Sequence, residues 1–558
     1  MKFTSNLANS KTLWNLTAGF GLLVYTVGLY ITIMEPDAAT YAIILMEMLQ
    51  RNNFIELFSR GVDWLDKPHF QFWVTALSYK IFGINNLGYK IPAILFVLLS
   101  VRYTYLFGRR YYTSKTGYIA ALMLITALHL ILSVNDVRAE PYLLGLTIYS
   151  LYYLTVYLEE KKWSQLLSGC LGLACLMMTK GLFTIIPVVS AIFFSLVYQK
   201  NWEELFSWKW VAAAIASLLF ITPVLYGYFY QFDLHPEKVV YGQTDVSGIK
   251  FFFWDSQWGR FANTGPIKGK GSLFFYLHTL LWAFAPWAFL AYFSLYDKTK
   301  RLIKRTETVE NYTYFGFIVL AFILSFSRFQ LPHYIVPLFP LLAIITANTL
   351  LRFARNHRFL KIFSSIQLFT TIAIFTTASV LNYYFLRKLP YTDTMIIAIM
   401  VLILCVVIYK SSIGRIKQIL FPPALAVLLV MYFMNRDFYP ELMTYQSESE
   451  VAFYMNENNL PSDKLIYLDR NTWVTEFYLK RVIPVQNRAG FDLSKVSGKY
   501  VFCDDNGLET LKINGVSYEI LKTFRDFHVT TMTSTFINKS TRNHTLINMY
   551  LVKVPETF

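Results

Sequence analysis

Charged residues are scarce in this chain. Asp, Glu, Lys and Arg make up 15% of its 558 residues, against about 25% in soluble domains, while hydrophobic residues reach 55% and aromatics 18%. That balance excludes a soluble globular protein. Cysteine is scarcer still: Cys170, Cys175 and Cys405 fall in apolar runs and Cys503 stands alone, so neither a disulfide framework nor a metal-ligand spacing can be drawn. Walker loops, Rossmann glycine patterns and zinc spacings are absent, as are internal repeats and low-complexity tracts. A net charge of +16 would ordinarily raise nucleic acid as a partner, but residues 437–558 carry 13 Lys and Arg against 15 Asp and Glu, which leaves +18 for the first 436. That excess sits in short connections between apolar runs, where it reports topology rather than a phosphate-backbone footprint.

What the chain has in abundance is apolar runs. Stretches of about 20 residues, long enough to cross a hydrocarbon core, lie near 13–33, 85–107, 116–134, 142–157, 164–178, 181–198, 210–229, 273–295, 313–327, 332–351, 362–386, 394–409 and 416–435. They predict an α-helical polytopic membrane protein with about thirteen spans. No small-residue cleavage site follows the first run, which therefore reads as a retained signal anchor. Basic clusters such as Arg109/Arg110/Lys115, Lys161/Lys162, Lys298–Arg305, Arg352–Lys361 and Lys410–Lys417 fall in every second connection. That side is predicted to be cytoplasmic. An odd span count then places the C-terminus outside.

The long connections 34–84 and 230–272 belong to the outer side. The first contains an amphipathic run, Asp37–Arg51, and an aromatic-rich one, His69–Phe82, both expected as interface-lying helices. The second carries Trp254-Asp255-Ser256-Gln257-Trp258-Gly259-Arg260-Phe261, followed by a Gly/Lys-rich segment expected to be mobile. After Tyr439-Pro440 the composition becomes that of a soluble domain. Residues 1–436 are thus expected to form the membrane domain and 437–558 an outer α/β domain, with helices near 447–458 and 471–480 and strands at 465–468, 499–503, 517–521 and 546–552.

The residues suited to chemistry lie at the outer ends of the runs. Asp37 and Tyr41, four apart, share a face if their segment is helical. A carboxylate there can orient or deprotonate a hydroxyl or hold a sugar; equally, Asp is favoured in a first helical turn after a residue such as Pro36. Lys67, between Asp66 and Pro68 and close to Trp64, suits a lipid phosphate that gains charge as it leaves; its alternative is a lysine snorkelling to headgroups beside a local partner, Asp66. Asp136, Arg138 and Glu140 pack three charges into five residues. Each would cost about 2.5–3.5 kcal/mol at the bilayer centre, so they end two helices as a mutually paired turn or line a functional cavity. Lys180, Arg260 and Arg328 are further outward cations, and Trp254, Trp258, Trp287 and Tyr334 are aromatics at the same level, suited to sugar stacking or to an interfacial belt. Asp504-Asp505 reads as a strand-to-helix turn rather than a metal pair. An outward site holding acids and cations without a nucleotide motif suits a pre-activated lipid-phosphate donor.

At these residues the chain resembles the GT-C glycosyltransferases that use polyprenyl-phosphate sugars, in particular the lipid A aminoarabinose transferases and protein O-mannosyltransferases. The resemblance runs from about residue 10 to 350. It is carried by Asp37 before Tyr41-Ala42, Asp66-Lys67-Pro68, Glu140-Pro141-Tyr142, Phe253-Trp254-Asp255 through Arg260-Phe261, and Leu331-Pro332-His333-Tyr334-Ile335-Val336-Pro337.

The resemblance implies a thirteen-span GT-C fold in the inner membrane, with active site and C-terminal domain on the periplasmic side. It implies inverting transfer of a sugar from an undecaprenyl-phosphate donor to lipid A, lipopolysaccharide or another envelope acceptor. Lys67, Arg260 and Tyr334 would hold the donor phosphate, Asp37 and Glu140 would be the essential acids, and Tyr41, Trp64, Asp66, Asp136, Arg138, Trp254 and His333 would support them. The aminoarabinose enzymes have Glu before Lys-Pro and a His in the later loop that can bind a metal with it. Here these positions are Asp66 and Gln257, so no metal is expected. They also have Asp-Glu-Thr-Arg-Tyr where this chain has Asp37-Ala38-Ala39-Thr40-Tyr41, which leaves sugar and acceptor open. Two alternatives stand beside this expectation: a protein acceptor, and a transporter or flippase of a lipid-linked sugar.

Overall fold

Each apolar run becomes helix, and polar side chains set many of the boundaries. The computed structural model describes residues 10–257, 259, 269–306, 309–386, 388–411, 414–470 and 472–556. In the amino-terminal half, the helices of seven residues or more are α1 (Ser10–Gly28), α2 (Asp37–Gln50), α3 (Phe70–Phe82), α4 (Asn86–Tyr111), α5 (Ser114–Ile125), α6 (Leu128–Asn135), α7 (Glu140–Glu160), α8 (Trp163–Lys180), α9 (Ile186–Gln199) and α10 (Trp208–Tyr228). There follow α11 (Phe275–Ala283), α12 (Ala288–Lys304), α13 (Tyr312–Phe326), α14 (Phe339–Arg352), α15 (His357–Phe385), α16 (Thr392–Lys410) and α17 (Arg415–Phe433). Asn85 caps α4 by accepting from the Gly88 amide at 3.0 Å, and Thr113 and Asn356 do the same for α5 and α15. Each cap satisfies a donor that the helix cannot pair internally.

Among the described residues, seven helices are long and apolar enough to cross a membrane, or eight if the bent pair α5–α6 is one span. The other runs of the expected thirteen also fold as helix, as α1, α7, α8, α11–α12 and α13, but do not combine that length with that apolarity. Three runs that look continuous in sequence are broken. The stretch 116–134 bends by 52° between α5 and α6, 273–295 divides into α11 and α12, and 332–351 opens with a 3-10 segment, Pro332–Leu338.

Among the candidate spans, those that contain α14 and α17 are the most enclosed and form the centre of the bundle. α16 shows the complementary pattern, with Ile396, Ile399, Met400, Ile403 and Val406 exposed on a surface that lipid would cover. Close crossings rest on small residues. A Cβ at Gly145 of α7 would stand 2.5 Å from the Phe96 carbonyl of α4, and one at Gly172 of α8 would stand 2.2 Å from the Ser150 hydroxyl.

After residue 437 the chain builds a five-stranded sheet of order β4-β3-β5-β7-β6, from β3 (Leu465–Leu468), β4 (Val485–Gln486), β5 (Tyr500–Asp504), β6 (Glu519–Asp526) and β7 (Ile547–Lys553). A short hairpin, β1 (Phe58–Ser59) with β2 (Val62–Asp63), precedes it in the first outer loop. β3 is parallel to both β4 and β5, whereas β7 runs antiparallel between β5 and β6. Tyr467, Phe502, Met549 and Leu551 pack on one face, and Val501, Cys503 and Val552 on the other. Helices α18 (Ser447–Glu457), α19 (Trp473–Leu479) and α20 (Asp505–Ile513) accompany the sheet. Asp504 caps α20 through the Gly507 amide at 2.9 Å, the turn expected for Asp504-Asp505.

One expectation fails in character. α2 has the expected bounds to within a residue, yet Ala38 to Met48 are all buried. It does not lie in a lipid interface, because α3 and α19 cover it. The cover is fastened by polar contacts. The Gln446 amide accepts from the Glu35 N–H at 3.1 Å and donates to the Ile33 carbonyl at 3.0 Å. Glu35 Oε1 accepts the Val474 amide at 2.7 Å, Tyr478 links Ile33 to Asn86, and Arg60 pairs with Glu476 at 2.9 Å.

Candidate functional site

The site forms where the ends of several helices meet on one side of the bundle. Asp37 is the first residue of α2 and Glu140 the first of α7, so both carboxylates stand at a helix N-terminus, where the macrodipole favours negative charge. The turn between α6 and α7 is fixed from three sides. Tyr89 donates to the Val137 carbonyl at 2.9 Å, Asn135 donates to Asn435 at 2.7 Å, and Asn435 in turn donates to the Val24 carbonyl of α1 at 2.9 Å. Lys90 caps the end of α1 through the carbonyls of Gly28 and Ile31.

Arg138 projects from this turn and joins two segments separated by about a hundred residues of sequence. Its guanidinium reaches Asp37 at 2.7 Å and Asp136 at 2.9 Å. Burial opposes its charge, while Asp136 and Asp37 together hold its pKa above the ordinary value. The Asp37 side chain stays 49% exposed. Glu140 is different: it is 1% exposed and ion-paired with Lys180 at the end of α8, with His333 Nε2 at 3.7 Å. Lys180 Nζ also lies 4.4 Å from the Tyr334 ring centroid, a cation–π contact. The turn 136–140 is therefore not paired only within itself. Asp136 and Arg138 face Asp37, and Glu140 faces α8 and the His333-Tyr334 segment.

Tyr41 sits between these groups. It is buried, and its phenol is pushed up first by burial and then by Asp66, Asp37 and Glu140. It is therefore a neutral hydrogen-bond donor near all three carboxylates. Lys67 is buried and ion-paired with Asp66. His69, two residues on, is held at about 4 by burial against the pull of the Ile55 carbonyl. It is neutral, so its Nε2–H donates to Ile55 O at 2.7 Å and pins the Lys67-Pro68 corner. Trp64 is half-buried, with an indole N–H that finds no hydrogen-bond partner among the described residues.

Other expected members stand apart or lie elsewhere. Trp254 is 60% exposed on a π-helical turn, Phe251–Asp255. Arg260, with Trp258 and Phe261, lies outside the described residues, as does most of the Gly/Lys-rich segment. Gln257 accepts from the Phe183 amide at 3.2 Å and donates to Ser256. Among the described residues no three His, Cys, Asp or Glu side chains are grouped to hold a metal ion. A cavity of about 80 Å³ opens beside Lys180, Gln257 and Tyr334 and runs between α9 and α13 past Ile186 and Leu324.

Lys180 is the residue that sequence reasoning undervalued. A lysine at the end of an apolar run ordinarily marks the membrane boundary, and nothing local connects it to Glu140, forty residues earlier. Glu35, two residues before Asp37, carries no local signal of its bond to the Val474 amide, more than four hundred residues later.

These elements define a polytopic helical membrane protein of the GT-C fold, with its acids and cations gathered at one end of the bundle. The fold is shared across almost the whole chain with the crystal structure of ArnT from Cupriavidus metallidurans bound to undecaprenyl phosphate, at a TM-score of 0.73 and 16% identity, covering 97% of this chain and 98% of that one. The family described as dolichyl-phosphate-mannose-protein mannosyltransferase matches residues 66–226. An undecaprenyl phosphate-alpha-4-amino-4-deoxy-L-arabinose arabinosyl transferase of Pseudomonas fluorescens is 28% identical over 335 residues, 59% of this chain and 56% of its own length. An uncharacterized protein of Aquifex aeolicus is 28% identical over 335 residues, 59% of this chain and 62% of its own length. The chain thus matches about three fifths of the length of these relatives. In sequence it resembles the aminoarabinose and mannosyl transferases of lipid-linked sugars.

Proposed function

We propose that the protein is an integral-membrane inverting glycosyltransferase that moves a sugar from an undecaprenyl-phosphate donor to an envelope acceptor such as lipid A. The observation that carries this reading is that an accessible carboxylate, Asp37, held by Arg138, and a buried Asp66–Lys67 ion pair stand in the environment of the same buried residue, Tyr41. Asp66 and Asp37 both act on its phenol. An acid facing the acceptor and a cation facing a phosphate are the two groups that such a transfer needs.

In this reading the donor enters laterally with its phosphate on Lys67, Arg260 and Tyr334. The acceptor oxygen attacks the anomeric carbon from the opposite face. The carbon–phosphate-oxygen bond breaks, and the lipid phosphate leaves with the electron pair. If the acceptor is a hydroxyl, its proton passes to Asp37; if it is a phosphate, no base is needed and Asp37 positions the substrates. Glu140, locked by Lys180, serves to fix the geometry and the local field rather than to accept a proton. Trp64 offers its indole N–H to the sugar.

The same reading takes thirteen spans, with the site and residues 437–558 on the periplasmic face, because basic connections crowd the other end. It requires no metal, since Lys67 occupies Asp66 and an amide, Gln257, stands in the later loop. A protein acceptor is the second reading, favoured by the family match over residues 66–226, which includes Lys67. Incubating purified protein with undecaprenyl-phosphate sugars and either lipid A or a membrane-protein extract, then following mass gain, tests both. Donor hydrolysis or transfer that persists in Asp37→Asn and Lys67→Ala alike would overturn the assignment.

A further inference from the structure

A second cavity lies at the opposite end of the bundle, where the proposed chemistry has no use for one. It measures about 690 Å³, within the range of small-molecule sites, roughly 300–1,000 Å³. α1 leads from it toward Asp37, and α5 and α6 lead from it toward Asp136.

Its walls have two kinds of surface. The rim carries Lys115, His357, Arg415 and Lys417, and among the described residues no carboxylate lines the cavity. These basic side chains come from separate segments: Lys115 from the first turn of α5, His357 from the start of α15, and Arg415 and Lys417 from the first turn of α17. Three helix N-termini therefore add their partial positive charge to the side-chain charges. Gly414, at φ +96°, turns the chain into α17, and Arg415 reaches across to the His357 carbonyl at 3.4 Å. The floor is apolar and aromatic. Trp14 packs edge-on against Phe421 at 5.3 Å and tilts toward Tyr118 at 6.2 Å, and Leu360 and Leu420 close it behind them.

Basic residues collect on one face of any polytopic protein for topological reasons. Topology does not require them to converge on one concavity with an apolar floor and, among the described residues, no acid in its lining. The basic group Lys300, Lys304 and Arg305, at the end of α12, is absent from the cavity's lining. We propose that the cavity binds one anionic phospholipid of the adjoining leaflet, its phosphate on the cationic rim and the start of its acyl chains on the Trp14, Leu420 and Phe421 floor. The charge complementarity selects an anionic headgroup, and the floor selects a lipid over a free phosphate.

Native mass spectrometry of the full chain in detergent, titrated with phosphatidylglycerol or phosphatidylcholine, tests this. The wild type is expected to retain one phosphatidylglycerol in preference to phosphatidylcholine. The triple variant Lys115→Ala/Arg415→Ala/Lys417→Ala should bind that lipid on the order of 100-fold more weakly. The matched variant Lys300→Ala/Lys304→Ala/Arg305→Ala should stay within about threefold of wild type. Equal loss in both variants, or equal retention of the two lipids, overturns the proposal. Displacement of the lipid by glycerol 3-phosphate at equal concentration would show a free-anion site and overturn it too. If the triple variant does not fold, Ala354→Trp, which adds bulk to the cavity's lining just after α14 and keeps every cation, should still weaken lipid retention. Wild-type retention in that variant overturns the proposal.

Discussion

At the scale of single residues, the two acids of the site differ in what surrounds them. Asp37 keeps half its side chain exposed while sharing Arg138 with Asp136. Glu140 is enclosed and neutralised by Lys180. Removing each should therefore fail differently. Asp37→Asn is expected to lower turnover by about 10²–10⁴-fold if the acceptor is a hydroxyl and to leave thermal unfolding in detergent unchanged. Lys180→Ala should instead destabilise the protein by about 3–5 kcal/mol, because it strands a buried carboxylate. The double variant Lys180→Met/Glu140→Gln should recover most of that stability without recovering turnover. A thermal melt of the three variants, read with a transfer assay, separates the roles. For Lys67, Ala should abolish donor use, and Arg should retain part of it at a raised KM, since the charge survives and the point-like ammonium geometry does not.

At the scale of elements, the pivotal contact is between the Ile33–Glu35 segment and α19. Burial pushes the Glu35 carboxyl up to about 8 from its usual 4.5, against the Val474 amide and with help from the Glu448 carboxylate. The docked state thus holds a proton that the undocked segment would release. Its contribution is complete below about 4.5 and is lost as pH rises through about 8. Protection of the amides of residues 473–479, measured by hydrogen exchange relative to the intrinsic base-catalysed rate, is expected to fall between pH 5 and pH 8, and Glu35→Gln should flatten that fall. An unchanged profile in the variant would remove Glu35 as the cause.

The element scale is also where the sequence was most and least informative. Hydropathy located the long apolar helices, patterning located β3, β5 and β7 to within about a residue, and turn chemistry located the Asp504 cap. Hydropathy alone could not show the 52° bend between α5 and α6, because the apolar residues continue through it. Nor could it show that α2 is enclosed, because its cover comes from α19, more than four hundred residues away. The motif residues Asp37, Lys67 and Glu140 stood out through their charge against an apolar background. Lys180 did not, since a cation at a helix end already has an ordinary explanation.

For the whole molecule, the arrangement makes a prediction about sidedness. All four native cysteines are buried, which supplies a quiet background for labelling. A membrane-impermeant maleimide applied to intact spheroplasts should label Lys495→Cys, an exposed position beyond the sheet, and not Lys162→Cys, in the basic connection between α7 and α8. Disruption of the membrane should expose Lys162→Cys as well. The reverse pattern would invert the topology and place the acids of the site on the nucleotide-rich face.

The amide of Gln446 pairs with the backbone on both sides of Met34, as a neighbouring strand would. The polar backbone leading into Asp37 is therefore completed by side chains from beyond residue 437. This makes the α/β region of residues 437–558 a poor cassette. A chimera joined near residue 437 to the corresponding region of a relative would inherit a foreign partner for Ile33 and Glu35, and would need Gln446, Val474 and Tyr478 transplanted with it to keep the segment before Asp37 in register.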